Sequence, residues 1–347
     1  MQSTPTAPAA NCNRIGLSRA DYTGKPSTLC KGCGHDSITN AIIQAYYELG
    51  IQPHQVMKFS GIGCSSKTPT YFLDRAHGFN SVHGRMPSVA TGAKLANITL
   101  SAIGISGDGD TASIGMGQFC HIVRRNVDMV YIIENNGTYG LTKGQFSATA
   151  DKGSTAKKGA PNPYPVLDCA AVAIELGATF VARSFSGDRK QLIALLKAAH
   201  AHKGIAVLDI ISPCVTFNNH EGSTKSYEFV KEHETPMEEL GFIPYYDEIS
   251  VDVKEGETQV ITLHDGSSLR IKKLTKDYDP TDKMAAFKSL DESKKSQDLL
   301  TGLLYYKSDQ PVLSDLGQMP DEPLYCLGEK ELDPGPVFLK KFNDSLK

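Results

Sequence analysis

The chain has 347 residues, including 8 cysteines and no tryptophan, with 36 lysines and arginines against 39 aspartates and glutamates. Its length allows a large core, and the balanced charge offers no electrostatic footprint for nucleic acid or an anionic membrane. No stretch approaches the roughly eighteen consecutive apolar residues of a membrane span, and the opening MQSTPTAPAANCN lacks the basic start and apolar run of a secretory signal. A cytoplasmic location is therefore expected, where closely spaced cysteines point to metal or redox chemistry rather than to disulfides.

In chain order, residues 1–24 read as an N-terminal arm. From Asp36 the pattern is helical: Ile38, Ala41, Ile42, Ala45, Tyr46 and Leu49 recur at helix spacing, and Gly50 supplies the stop. VMKFSGIG (56–63) reads as a strand and PSVATGAKLAN (87–97) contains a helix. LSAIGIS (100–106), ASIGMGQFCHIVRRN (112–126) and MVYIIEN (129–135) form a strand–helix–strand unit. The alternation resumes with a helix in LDCAAVAIELG (167–177), a strand TFVARSF (179–185), a helix in DRKQLIALLKAAHAH (188–202) and a strand IAVLDIIS (205–212). Apolar strands separated by amphipathic helices predict an α/β fold with a doubly wound, mostly parallel sheet over 25–221. Beyond 222 the texture changes: SYEFVKEHETPMEELG is densely charged, and TQVITL and LRIKKL flank HDGSS like hairpin arms. Residues 222–347 are expected to form a hairpin-containing C-terminal appendage.

Two constellations carry chemistry. GDGD (107–110) and NNGTYG (135–140) each follow a strand, and one helix separates those strands. In open parallel sheets ligands bind beyond the carboxyl ends of the strands. Asp108 offers a carboxylate and Asn136 an amide oxygen, the hard donors that magnesium takes alongside substrate phosphates, while Gly107 and Gly109 allow close backbone approach. Two turns built from residues that favour turns anyway are the plain alternative. The second constellation is Cys30 and Cys33 in LCKGCGH, Cys64 in GIGCSS and Cys214 in SPCVTFNNH. Four thiolates can hold zinc or an iron–sulfur cluster. A structural zinc usually closes locally with a second CxxC pair, so single cysteines arriving from distant strand ends favour a cluster at the carboxyl edge of the sheet. Cys120 and Cys169 lie among apolar helical neighbours and read as core residues.

The GDG and NN pairing resembles the thiamine diphosphate motif, and this resemblance implies a magnesium ion held by Asp108, Asn136 and the carbonyl of Thr138. With LCKGCGH, GIGCSSKTP, HGRMPSVATG, NNGTYGLTKGQ and SPCVTFNNH in one order, residues 25–225 resemble the beta subunits of the 2-oxoacid:ferredoxin oxidoreductases. The resemblance implies a pyrophosphate-binding α/β domain with thiamine diphosphate, Mg2+ and one 4Fe-4S cluster on Cys30, Cys33, Cys64 and Cys214. It implies cofactor contacts from Ile62, Gly63, Cys64, Ser65, His35, His83, Gly109, Asp110, Gly140 and Leu141. Lys67 and His83 become candidate catalytic groups, and Lys67, Arg85 and Lys143 candidate anion contacts for substrate.

The implied reaction is coenzyme A-dependent oxidative decarboxylation of a 2-oxoacid, or its reverse, with electrons leaving one at a time to ferredoxin. The NNHEGSTKSY segment and the length look most like the 2-oxoglutarate enzymes, with pyruvate as the alternative substrate. The family takes the glutamate that activates the aminopyrimidine from another domain, so an alpha subunit is the expected partner. Two other readings remain: a cluster-free thiamine decarboxylase or carboligase with structural zinc, and a non-enzymatic, metal-stabilised interaction subunit.

Overall fold

A computed structural model describes residues 11–154, 160–216, 251–262, 268–275, 277–333 and 335–347. The NNHEGSTKSY and SYEFVKEHETPMEELG segments lie outside the described residues, as does most of HDGSS. The predicted strands appear as β1 (Val56–Ser60), β3 (Ser101–Gly107), β4 (Met129–Asn135), β7 (Phe180–Phe185) and β8 (Ile205–Ile211). A short edge strand, β2 (His77–Asn80), runs parallel to β1. The sheet order is β2-β1-β3-β4-β8-β7, parallel throughout, because each crossover is a helix that returns the chain to the same edge.

Both faces of this sheet are covered, which is why its strands are apolar on both sides. Helices α1 (Gly34–Leu49) and α5 (Arg189–Ala201) pack Ile38, Ile42, Tyr46, Leu192 and Leu196 onto one face. The sequence stops α1 where expected, at Gly50, whose φ of 61° is left-handed. Helices α2 (Met86–Ala96), α3 (Met116–Arg124) and α4 (Cys169–Glu175) cover the other face with Met86, Phe119, Ala170 and Ile174 around Tyr131 and Ile133 of β4. Each such large side chain contributes about 1.5–3 kcal/mol by leaving water. Cys169 is buried in this layer, whereas Cys120 is half-buried with its Sγ 3.6 Å from Met116 Sδ.

The C-terminal part carries the expected hairpin and also extends the main sheet. Strands β9 (Thr258–Thr262) and β10 (Ser268–Lys273) pair antiparallel as the hairpin reading predicts. Helix α6 (Lys283–Ser296) and strand β11 (Leu299–Tyr306) follow, and β11 pairs antiparallel with β7 and parallel with β10. The sheet thus continues to nine strands, with β11-β10-β9 added beyond β7, so a boundary at 221/222 does not separate two sheets. Ala286 and Leu290 of α6 join the same core as Phe119. The expected N-terminal arm is anchored too: Asn13 donates to Tyr22 Oη and to the Tyr47 carbonyl, at 2.8 and 2.9 Å. Among the described residues no helix is long and apolar enough to cross a membrane.

Candidate active site

Three neighbouring strands, β1, β3 and β4, end at one cleft. Gly61–Cys64 leaves β1, Gly107–Asp110 leaves β3 and Asn135–Thr138 leaves β4, while the amino end of α1 brings in His35. The predicted helix after β3 begins as a π-helical turn (Gly109–Ile114) before α3, a distortion common at functional sites. Tyr139 explains the glycine there: its hydroxyl donates to the Gly109 carbonyl at 3.0 Å, and a Cβ on Gly109 would stand 2.5 Å from its ring. A two-stranded hairpin, β5 (Thr138–Tyr139) with β6 (Gln145–Phe146), closes the β4 side.

Asp108 is 1% exposed. Its Oδ1 faces the Asn136 N–H at 3.4 Å, and its Oδ2 accepts from the hydroxyls of Ser147 and Thr149. Burial pushes this carboxyl above the usual carboxylate range, with the Ser147 and Thr149 hydrogen bonds pulling the other way. Its hydrogen-bond donors are all neutral, and a cation in the cleft would supply the counter-charge they do not. Asn136 Oδ1 accepts the Thr138 N–H at 3.0 Å, which turns the chain so that both residues face the cleft with Asp108. Hard oxygens from a carboxylate, an amide and a peptide carbonyl suit magnesium.

Two histidines flank these groups, each against a buried carboxyl group. His83 Nδ1 makes a short contact with Asp110, whose carboxylate also accepts from Gly84 N and Ser106 Oγ, both at 2.7 Å. Asp110 therefore anchors the His83 loop. His35 Nδ1 lies 3.3 Å from Glu134 Oε2, off the hydrogen-bond line, and neither ring nitrogen of His35 has a hydrogen-bond partner. Thr68 Oγ1 donates to Glu134, 3.0 Å from both carboxyl oxygens. Burial drives His35 down to about 4 and pushes Glu134 well above the usual carboxylate range. Buried ring nitrogens lining a cleft are sites for a ligand that hydrogen-bonds to them.

The cysteines gather at the same end. Cys64 lines the cleft with Asp108 and Asn136, Cys33 immediately precedes α1, and Thr216 Oγ1 lies 3.4 Å from Cys30 Sγ. Burial raises the Cys33 and Cys64 thiols, and Cys214 adds to both by charge repulsion, as Cys30 does for Cys64. Cys214 is thus within electrostatic reach of Cys33 and Cys64, and Cys30 of Cys64. Among the described residues no three His, Cys, Asp or Glu side chains are gathered tightly enough for a lone metal ion. A 4Fe-4S cube spans more than one ion, and its thiolates stand correspondingly farther apart.

Most of the residues singled out in the sequence meet at this cleft. Ile62, Gly63 and Ser65 line it beside Cys64, Gly109 and Asp110 beside Asp108, and Gly140 and Leu141 beside Thr138. Lys67, Arg85 and Lys143 do not line it: Lys67 is half-buried, its charge opposing the rise of the Cys64 thiol, while Arg85 and Lys143 are exposed. Glu134, Thr68, Ser147 and Thr149 were not anticipated. The acid closing the apolar run MVYIIEN was a signal for Glu134, because a charged residue at the end of a buried strand needs a local reason. The cleft in this chain holds only about 80 Å³, against roughly 300–1,000 Å³ for a cofactor-sized pocket. The described residues by themselves thus enclose less space than such a cofactor needs.

Residues 60–210 match the family described as thiamine pyrophosphate enzyme, C-terminal TPP binding domain. The beta subunit of 2-oxoacid:ferredoxin oxidoreductase 1 from Aeropyrum pernix is 43% identical over 232 residues, covering 67% of this chain and 70% of that protein. This chain belongs to the beta subunits of the 2-oxoacid:ferredoxin oxidoreductases. A Sulfolobus member of these beta subunits is 45% identical over 201 residues, 58% of this chain and 66% of its own length, so the chain spans just under two thirds of that relative. A solved 2-oxoglutarate:ferredoxin oxidoreductase from Magnetococcus marinus, with 2-oxoglutarate, coenzyme A and succinyl-CoA bound, superposes with a TM-score of 0.69. It is 30% identical, and the match covers 87% of this chain and 89% of that one.

In this beta subunit Gly61, which precedes the cleft residue Ile62, packs tightly on Asp110, since a Cβ there would stand 1.7 Å from Asp110 Oδ2. Gly61→Ala is expected to displace the Asp110 anchor and destabilise the fold by about 1–3 kcal/mol. A lower midpoint in denaturant unfolding, together with weaker thiamine diphosphate binding, is the expected reading; an unchanged midpoint would contradict the geometry.

Proposed function

We propose that this chain is the beta subunit of a 2-oxoglutarate:ferredoxin oxidoreductase, acting with coenzyme A in the oxidative decarboxylation of 2-oxoglutarate to succinyl-CoA and carbon dioxide, or in reverse. The observation that carries this reading is that Cys64 lines the same cleft as Asp108 and Asn136, so one end of the sheet offers both hard oxygen and thiolate donors. Asp108, Asn136 and the Thr138 carbonyl are the residues that would hold Mg2+. Gly63, Gly109 and Gly140, without side chains, let the backbone approach a diphosphate. His35 offers its buried ring nitrogens, and Asp110 orients His83 toward the reacting end of the site. When bound, thiamine diphosphate supplies the carbon nucleophile for the keto group.

Cys30, Cys33, Cys64 and Cys214 would hold the 4Fe-4S cluster, whose chemistry is one-electron transfer toward ferredoxin. Lys67, beside Cys64, is assigned to the substrate carboxylate. Arg85 follows His83, and Lys143 follows Leu141 in the chain; both face solvent and suit anionic substrate groups at the rim. An alpha subunit is required to finish the pocket. The small cleft supports that partner, as do Val82, Ile114 and Leu141, which leave 71%, 54% and 52% of their surface exposed near it.

The test is an anaerobic co-purification followed by assays of 2-oxoglutarate against pyruvate with coenzyme A and a one-electron acceptor. Coenzyme A-dependent reduction of the acceptor with preference for 2-oxoglutarate is expected. Preference for pyruvate overturns the substrate assignment, and zinc without iron overturns the cluster.

A further inference from the structure

SATAD (147–151) follows the closing hairpin, and no function assigned to the site gives it a role. Ser147 and Thr149 are 4% and 6% exposed. Their hydroxyls converge on one oxygen of Asp108, Oδ2, while Oδ1 faces the Asn136 N–H. Ser147 Oγ also accepts the Thr149 N–H at 3.2 Å, which leaves the Ser147 proton for Asp108. Thr149 Oγ1 lies 2.8 Å from Ser147 Oγ and 3.0 Å from Asn135 Oδ1.

Asn135 is held in turn. Its Nδ2 donates to Asp209 Oδ1 at 3.0 Å, and Asp209 Oδ2 accepts from Arg183 Nε at 3.0 Å. Asp209, paired with a guanidinium, only accepts, so the amide group of Asn135 must face it and the amide oxygen must face Thr149. Arg183 is 7% exposed and also donates to Asp168, the N-cap of α4. A buried chain of contacts therefore runs from Arg183 on β7 through Asp209 on β8 and Asn135 on β4 to Thr149, whose single hydroxyl proton goes to the charged acceptor, Asp108 Oδ2, and not to Asn135 Oδ1. The first asparagine of the NN pair points away from the cleft and into this chain.

We propose that Ser147 and Thr149 are positioning residues for Asp108, holding Oδ2 so that Oδ1 alone is presented to the cation. This rests on the reading of Asp108 as the magnesium ligand and adds the residues that set its geometry. Partners of this kind typically alter metal affinity by about 10–100-fold when removed.

The experiment is a calorimetric titration of magnesium chloride into the enzyme, purified with its partner subunit, at saturating thiamine diphosphate. Thermal midpoints are measured alongside on the magnesium-free protein. Thr149→Val and Ser147→Ala are expected to weaken magnesium binding by about 10–100-fold with little change in midpoint. Thr149→Ser, which keeps the hydroxyl, should restore it. Asp108→Asn should abolish saturable magnesium binding. If Asp108→Asn binds like wild type, the ligand reading itself fails and the clamp with it. If Asp108→Asn loses binding while Thr149→Val and Ser147→Ala titrate like wild type, the ligand reading stands and the clamp is overturned. A Thr149→Ser protein as weak as Thr149→Val overturns the clamp as well. Arg183→Met is not the deciding variant, because it leaves the buried Asp209 without its charge partner and Asp168 with Lys294 alone, and disturbs folding as well.

Discussion

Cys33→Ser is expected to leave the enzyme without its full iron complement and without electron transfer to a one-electron acceptor. Cys33 sits at the N-cap of α1, its backbone bonded back to the carbonyl of Cys30 at 3.0 Å, so the CxxC turn is rigid where the sulfur leaves it. Burial and the neighbouring Cys214 both disfavour a thiolate at this position. Bound iron reverses that penalty by placing positive charge among the sulfurs. Serine cannot do the same, because its hydroxyl holds its proton far more tightly than a thiol. Iron analysis of anaerobically purified protein and the electron paramagnetic resonance signal after reduction are the measurements. Cys120→Ser on α3, outside the sulfur neighbourhood, should keep both. Full iron in the Cys33→Ser protein would remove this residue from the ligand set.

Asp108→Asn separates the cost of a buried charge from its use. Activity with 2-oxoglutarate is expected to fall by at least about a thousandfold, equivalent to roughly 4 kcal/mol of lost transition-state stabilisation. The fold should not suffer. The folded-state pKa of Asp108 lies above its unfolded value, so the folded chain holds this proton more tightly. Its contribution to stability is therefore present at low pH and lost as pH rises through the folded value. At neutral pH without magnesium, the wild-type carboxylate is a liability that asparagine removes. Thermal unfolding in the presence of a chelator should show Asp108→Asn at or above the wild-type midpoint, and a midpoint well below it would contradict this electrostatic account.

The parts of the site legible in the sequence were those with a local signature. Glycines beside Asp108 and Asn136 mark turns at strand ends, and apolar runs on either side mark the strands, so the neighbourhood of GDGD and NN follows from short-range pattern alone. The CxxC turn is equally local. Ser147, Thr149 and Arg183 were not legible, because a serine or threonine after a hairpin is an ordinary loop residue until its hydroxyl is seen to meet a buried carboxylate. Arg183 lies in TFVARSF, a strand whose other residues are apolar or hydroxylic. Its reason is Asp209, its register partner on β8, together with Asp168, and cross-strand partners are not written in the spacing of either strand.

The amino-acid sequence by itself determined the alternation of strand and helix, the placement of GDGD and NN at strand ends and the family to which the chain is similar, since propensity, turn chemistry and periodicity act over a few residues. Only the tertiary structure decided that β11 extends the main sheet beyond β7, that Cys64 shares a cleft with Asp108, and that Asn135 turns inward while Asn136 faces the site. Those outcomes depend on register between strands far apart in the chain, where a shift of one residue would exchange the buried and open sides of every side chain.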